Sequence, residues 1–402
     1  MIALHLLILT TINLPGMFVP GTNIPGRFVV ALQADEAPTL LKDARVVTGL
    51  GPELEKASVL VERGKITRVA ASIEAPANAR VVDLAGKVLM PGLVDAGSRL
   101  AEAQNEEGRE VTPALSALDA FEPGAPVLRR AALGGLTTAY LGPGNRNVVG
   151  GVGAVVKTGG PDRFRPLRER ADLKAALGAE PSAGNYPPRG GPATFFARRP
   201  TTRMGVVWEF RKAFVDAREG RCAGAEAEIL GAALAGKLTV RVAAAAATDL
   251  ETALALAADF GLALVVEDGR EAWKRADVLA ARKVPVVLRS TLDLDPAGVD
   301  ARPDALARLR AAGVDTALAS PGGDAESLLA AAAFAVKHGA SRADAFRAIT
   351  SAPARILGVA DRVGAIEDGR DADLAVYSGD PLDARSAVER VMVGGRFLSG
   401  GK

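Results

Sequence analysis

Residues 238–267, LTVRVAAAAATDLETALALAADFGLALVVE, read as a strand, a helix and a second strand. LTVRVAA (238–244) has the composition of a buried strand, Thr248 or Asp249 is placed to cap the helix LETALALAADF, and Gly261 ends it before LALVVE begins. A strand, a helix and a strand in this order form a βα unit and argue for a parallel sheet. The alternation continues downstream through REAWKRADVLAARK, VPVVLRS, PDALARLRAAG, VDTALAS and ESLLAAAAFAVKH. Upstream, LVDAG, LTTAYLG and VGAVVKT bring the legible strands to seven, and the segment 160–236 has room for about one more. The sum is α/β, a TIM-like (β/α)8 barrel over residues 92–359, whose functional groups belong at the C-terminal ends of its strands.

Both flanks change character. Residues 40–90 alternate in strand fashion with turns at Gly64-Lys65 and Gly86-Lys87, and strands recur at DLAVYS and RVMVGGRFL. Segments 38–91 and 360–402 therefore predict a small β-sandwich domain formed from both chain ends. Segment 161–212 is Gly/Pro-rich and basic with interleaved aromatics, a composition that a loop or lid over the barrel mouth explains more simply than nucleic-acid binding. Residues 1–34 are apolar and proline-broken. They read as an export leader, which places the protein in the periplasm or outside the cell; the alternative is an N-terminal arm on a cytoplasmic protein. No later apolar run is long enough for a membrane span.

Composition narrows the chemistry. The chain of 402 residues has two histidines, His5 and His338, so a metal site built on several imidazoles cannot be assembled. Asp and Glu remain able to form an oxygen-only site for Mg²⁺ or Ca²⁺. His338 stands where a helix should end. The single cysteine, Cys222, excludes an internal disulfide and has no histidine nearby to activate it. A net charge of +2 gives no argument for nucleic acid as a partner. No G-x-S-x-G elbow occurs, and no histidine is placed to serve a serine nucleophile.

Three stretches carry a family resemblance: GKVLMPGLVDAGSRL (86–100), PGNRNVVGGVGAVVKTGG (143–160) and ITSAPARILGVADRVGAIEDGRDADLAVYSGDPL (349–382). In this order and spacing the chain resembles the amidohydrolase superfamily, in its imidazolonepropionase-like and dipeptidase-like branch. The resemblance implies a barrel wrapped by a split β domain, a Zn²⁺ or other divalent metal at the barrel mouth, and hydrolysis of carbon–nitrogen bonds.

It also implies where the metal ligands should stand, and those positions are altered. Gly97 and Arg99 hold the places of the two first-strand histidines; a glycine offers no ligand and a guanidinium repels a cation. Ala243 or Ala245 stands at a later histidine position, Glu267-Asp268 at another, and Ser320 or Pro321 where the catalytic aspartate belongs. Lys157 matches a lysine that can become a metal-bridging carbamate; without other ligands it reads as a salt-bridging residue. Asp268 reads as paired with Arg241 or Arg99 in a charge-compensated former pocket.

The expected protein is thus a non-catalytic relative that has lost its metal site, with no cofactor. Arg99, Asn147, Lys157 and Arg241 would receive a small anionic molecule. A homo-oligomer, or a hetero-oligomer with an active paralogue, is a further expectation. The alternative is a hydrolase of amides or cyclic amides in which Asp95, Glu267 and Asp268 surround one hard cation.

Overall fold

The structure, a computed structural model, describes residues 37–98, 100, 106, 108–185, 198–289, 299–320 and 323–399. The segment read as a leader and Arg99 lie outside the described residues. Strands β1 (Thr39–Val46), β2 (Leu54–Glu62), β3 (Lys65–Ala70), β4 (Arg80–Asp83) and β5 (Val88–Pro91) come from the N-terminal flank. Eight more follow: β6 (Leu93–Asp95), β7 (Leu136–Leu141), β8 (Val149–Lys157), β9 (Arg168–Ala176), β10 (Val240–Ala243), β11 (Leu264–Asp268), β12 (Val286–Arg289) and β13 (Thr316–Ala319). The last three are β14 (Leu374–Tyr377), β15 (Val388–Val393) and β16 (Arg396–Phe397).

Strands β6 to β13 hydrogen-bond in chain order as one eight-stranded sheet, the nearly closed barrel that the sequence predicts. The missing strand of segment 160–236 is β9. Strand β8 runs antiparallel to both β7 and β9, so these three neighbours need no helical crossovers. Along the parallel strands the pleat sorts side chains with a period of two. Val240, Val242, Leu264, Val266, Val286 and Leu288 belong to the cluster shared with the outer helices, where Phe210, Phe214, Leu254 and Leu328 are buried. Arg241, Glu267 and Arg289 alternate with them and face inward.

The barrel interior is layered. Val94, Tyr140, Val155, Val265, Val287 and Ala317 form an apolar cluster with Ala354, Leu357, Val359 and Val363. Arg355 pairs with Asp315 just before β13, and Arg168 at the start of β9 donates to the Leu357 carbonyl. The segment around 354–363 therefore plugs the N-terminal end of the barrel. At the seam, the Val94 N–H is taken by the Ile349 carbonyl at 3.0 Å and not by β13.

The other eight strands form a second sheet in which both flanks meet, β5 pairing antiparallel with β14 from Val88↔Tyr377 to Pro91↔Leu374. Strand β1 turns the corner of this sheet. Its first half pairs with β4 and its second half with β5, and the break falls at Asp43, whose φ is 60°.

Two local expectations change. Segment 161–212, expected as a loop or lid, contains β9 and the first residues of the helix Arg203–Arg218, with residues 186–197 outside the described part. The helix after β10 spans Ala247–Phe260 with Ala246 at its N-cap, so neither Thr248 nor Asp249 caps it. The Glu271 carboxylate, from the loop after β11, accepts the Ala247 N–H at 2.7 Å instead. Gly261 does end the helix, at φ 68°. His338 follows the helix Ala325–Lys337 and packs its ring on Phe334, the helix-end role expected of it. Among the described residues no helix is long and apolar enough to cross a membrane.

Lys157 joins the barrel to the β domain. The antiparallel course of β8 carries it away from the mouth, and its ammonium is 1% exposed between Asp371 at 2.9 Å and Asp373 at 3.0 Å. Burial opposes its charge, the two carboxylates more than offset that, and its pKa is raised. Removing one partner of a buried ion cluster strands the others. Lys157→Met should lower the unfolding free energy by roughly 3–5 kcal/mol in denaturant titration. Lys65→Ala, at the 46% exposed edge of the same cluster, should cost no more than about 1 kcal/mol. Equal losses in the two variants would contradict a buried clamp.

Candidate functional site

At the C-terminal ends of the barrel strands a cavity of about 40 Å³ is lined by Gly97, Ser98, Tyr140, Asn145, Glu267, Asp268 and Arg289, among others. That space admits a few water-sized atoms, on the order of one carboxylate head. Arg241, wholly buried, lies in the barrel wall beside Glu267 and organises the site. Its Nε donates to Asp172 at 2.6 Å, and Nη1 donates to the Ala96 carbonyl at 2.9 Å and reaches Glu267 at 3.4 Å. The guanidinium stacks 4.1 Å from the centre of the Tyr140 ring. The Tyr140 hydroxyl donates to the second oxygen of Asp172 at 2.6 Å, and Lys174 donates to Glu267 at 2.5 Å.

Electrostatics follow from this packing. Burial opposes the charge of Arg241, but Asp172, Tyr140 and Glu267 more than offset it, and its pKa is raised. Burial likewise opposes ionisation of Glu267, yet Lys174 and Arg241 hold its carboxyl below the usual range. Tyr140 is pushed well up, by burial first and by the neighbouring Asp172 second. Glycines make room for its ring: a Cβ at Gly153 would lie 2.3 Å from the Tyr140 hydroxyl and one at Gly142 2.5 Å from a ring carbon. The glycine-rich run 150–153 is therefore barrel strand and serves packing.

The positions matched to metal ligands are built into the scaffold. A Cβ at Gly97 would stand 2.6 Å from the Ala319 Cβ and 3.4 Å from Val287, so a histidine does not fit there without moving β13. Ala243 is buried next to Arg241, and Ala245 spends its carbonyl on the Glu271 N–H. Ser320 hydrogen-bonds Asp95 through its hydroxyl, and Asp95 also accepts the Gly97 N–H at 2.9 Å. Asp95, wholly buried, thus ties the ends of β6 and β13 together. Among the described residues no three His, Cys, Asp or Glu side chains converge as a metal shell requires. The set Asp95, Glu267 and Asp268 is accordingly not assembled around a cation, and the residues present do not fit the family's divalent metal.

Other expected site residues take different places. Lys157 lies outside the mouth, as described above. Asn147 is 1% exposed; its amide donates to the carbonyls of Glu106 and Arg109 at 2.8 and 2.7 Å and accepts from Arg198, so it anchors a loop and offers nothing to a ligand. Asp268 pairs with Arg270 at 3.0 Å, not with Arg241. It holds φ at 70°, a backbone state that costs a non-glycine residue of order 1 kcal/mol. Reading the sequence missed Asp172, Lys174, Tyr140 and Arg289. The period of two in ADLKAA and VPVVLRS was the available signal, since it puts Asp172, Lys174 and Arg289 on the inward face once Leu173 and Leu288 are assigned outward.

A profile of the amidohydrolase family matches residues 334–398. The crystal structure of an amidohydrolase from Thermotoga maritima MSB8 superposes with a TM-score of 0.82 at 35% identity, covering 90% of this chain and 99% of that one. The chain belongs to the amidohydrolase superfamily. An imidazolonepropionase from Maricaulis maris (strain MCS10) is 27% identical over 90% of this chain and 98% of its own length. The amidohydrolase tasK of Hapsidospora irregularis is 27% identical over 94% of this chain, which spans 44% of that longer protein.

Within this amidohydrolase barrel Asp95 is the pH-sensitive tie. Burial raises its pKa from 3.8 to about 6, against hydrogen bonds from Ser320 and Gly97. A carboxyl raised on folding contributes most below its unfolded pKa, and that contribution is lost as pH rises through the folded value. Relative to Asp95→Asn, the wild-type protein should gain up to about 3 kcal/mol of unfolding free energy between neutral pH and the acid side of 3.8. Chemical denaturation of both proteins across that interval checks it; parallel pH profiles would contradict the assignment.

Proposed function

We propose that this amidohydrolase-fold protein has exchanged its metal site for an arginine-centred ion-pair network and binds a small molecule without hydrolysing it. The observation that carries the reading is Arg241, a permanent cation wholly buried beside Asp172 and Glu267 at the barrel mouth. A guanidinium neutralises carboxylates as a metal does, but it has no open coordination position and cannot generate hydroxide from water. The crowding of Gly97 against Ala319 and the use of Ser320 by Asp95 support the same reading, because two positions matched to metal chemistry serve the closure of the barrel.

Two of the relatives named above are called amidohydrolases, so hydrolysis is the outcome to test against. Purified full-length protein should carry no stoichiometric Zn, Mn, Fe, Mg or Ca by elemental analysis, and a chelator should leave its thermal midpoint unchanged. It should not turn over N-acyl amino acids or cyclic amides with any of these metals added. One transition metal per chain together with turnover would reject the proposal.

Arg241→Met should be strongly destabilising, by roughly 3–5 kcal/mol, because Asp172 is left buried without its cation. If the network merely decorated a working metal centre, the variant would keep its stability and change only in metal content.

A further inference from the structure

The charges around the mouth pair off unevenly. Arg241 is matched with Asp172, Lys174 with Glu267 and Arg270 with Asp268. Arg289, half-buried at the end of β12, lines the cavity and makes no ion pair among the described residues. It lies close enough to Glu267 to help keep that carboxyl ionised. On another wall of the same cavity, the Asn145 side-chain oxygen is buried without a hydrogen-bond partner. A buried acceptor left unpaired costs about 1–3 kcal/mol unless something donates to it.

These features call for a ligand of defined polarity. An unmatched guanidinium asks for a planar anion, and a carboxylate fits its fork. An unpaired amide oxygen asks for an N–H donor, and the carboxylates of Glu267 and Asp268 on the same cavity favour that donor being cationic. The volume of about 40 Å³ limits the part that enters to a few heavy atoms.

We propose that the cavity recognises a small amino-acid-type group, its carboxylate on Arg289 and its ammonium or amide N–H toward Asn145 and the Glu267–Asp268 side. The inference rests on the non-hydrolysing reading of this site and gives it a ligand class. The positive φ of Asp268 supports it, since the strained backbone and the Arg270 pair hold a carboxylate at the cavity wall.

The test titrates the full-length protein with glycine, acetate and methylammonium at constant ionic strength, followed by saturation-transfer NMR. Glycine should bind best, acetate more weakly and methylammonium weakest. Arg289→Gln should weaken glycine and acetate by about tenfold or more, the loss of a charge-assisted hydrogen bond. Arg289→Lys should fall between Arg289→Gln and the wild type. Asn145→Asp should strengthen methylammonium relative to acetate. Unchanged thermal midpoints in these variants establish that the fold is intact. Absence of glycine and acetate binding to the wild type, or binding unaffected in Arg289→Gln, overturns the inference. Neither result bears on the non-hydrolysing reading, which metal content and turnover decide; turnover found alongside Arg289-dependent glycine binding would sink that reading and leave only the Arg289 contact, as part of a substrate site.

Discussion

A guanidinium that water cannot reach sets the terms for the rest of the barrel mouth. Taking Arg241 out of solvent costs several kcal/mol, which close counter-charges and hydrogen bonds must offset. Asp172 supplies the counter-charge at 2.6 Å, the Ala96 carbonyl and Glu267 accept from Nη1, and Tyr140 covers the face. Each of these has its own requirement. Tyr140 needs a strand and a loop without side chains beside it, which Gly153 and Gly142 provide. Asp172 needs a second donor, which is the Tyr140 hydroxyl. Glu267, shared between Lys174 and Arg241, is held ionised by both. One buried cation thus accounts for the identity of residues on four strands.

The seam of the barrel obeys a different constraint. Strands β6 and β13 exchange no ladder hydrogen bonds, and β6 spends its Val94 N–H on Ile349. Closure there depends on side chains. Asp95 bridges to Ser320, and Gly97 brings Ala319 within van der Waals reach. Small residues at 97 and 319 allow the approach, and the same approach leaves no volume for an imidazole. The small residues that let the sheet curl shut therefore leave no room for a larger side chain, so a substitution at Gly97 would meet resistance from the fold.

Strand order and barrel architecture were legible because hydrophobic periodicity reports burial directly. Stretches such as LALVVE and VDTALAS could hardly be anything but strands, and β9 was anticipated by counting. The split β domain was legible for the same reason. Partner choice inside the barrel was not. Arg241 could be placed on a strand, but which carboxylate meets it depends on strand register, and the winning partner, Asp172, lies in a segment whose basic composition suggested a lid. Lys157 is the salt-bridging residue expected, but its place at the mouth failed for a topological reason: in sequence VGAVVK is indistinguishable from a parallel strand, and only the antiparallel course of β8 sends its end toward Asp371 and Asp373. The cap of helix Ala247–Phe260 was hidden because its acceptor, Glu271, stands on the next loop.

Under the proposed reading, charge substitution keeps the scaffold without the metal. A barrel mouth that gathers Asp172, Glu267 and Asp268 needs positive charge simply to fold, whatever chemistry follows. A divalent metal would deliver that charge as a Lewis acid with an exchangeable position. Arg241, Lys174 and Arg270 deliver it as fixed donors held against carboxylates, with the Arg241 Nη2 buried and unpartnered. The first arrangement activates water, whereas the second, under the proposed reading, orients what enters. Arg289 lines the cavity and, unlike these three, makes no ion pair among the described residues. Its guanidinium fork, spent on no ion pair among the described residues, faces the cavity, and recognition is the use to which such a group is suited.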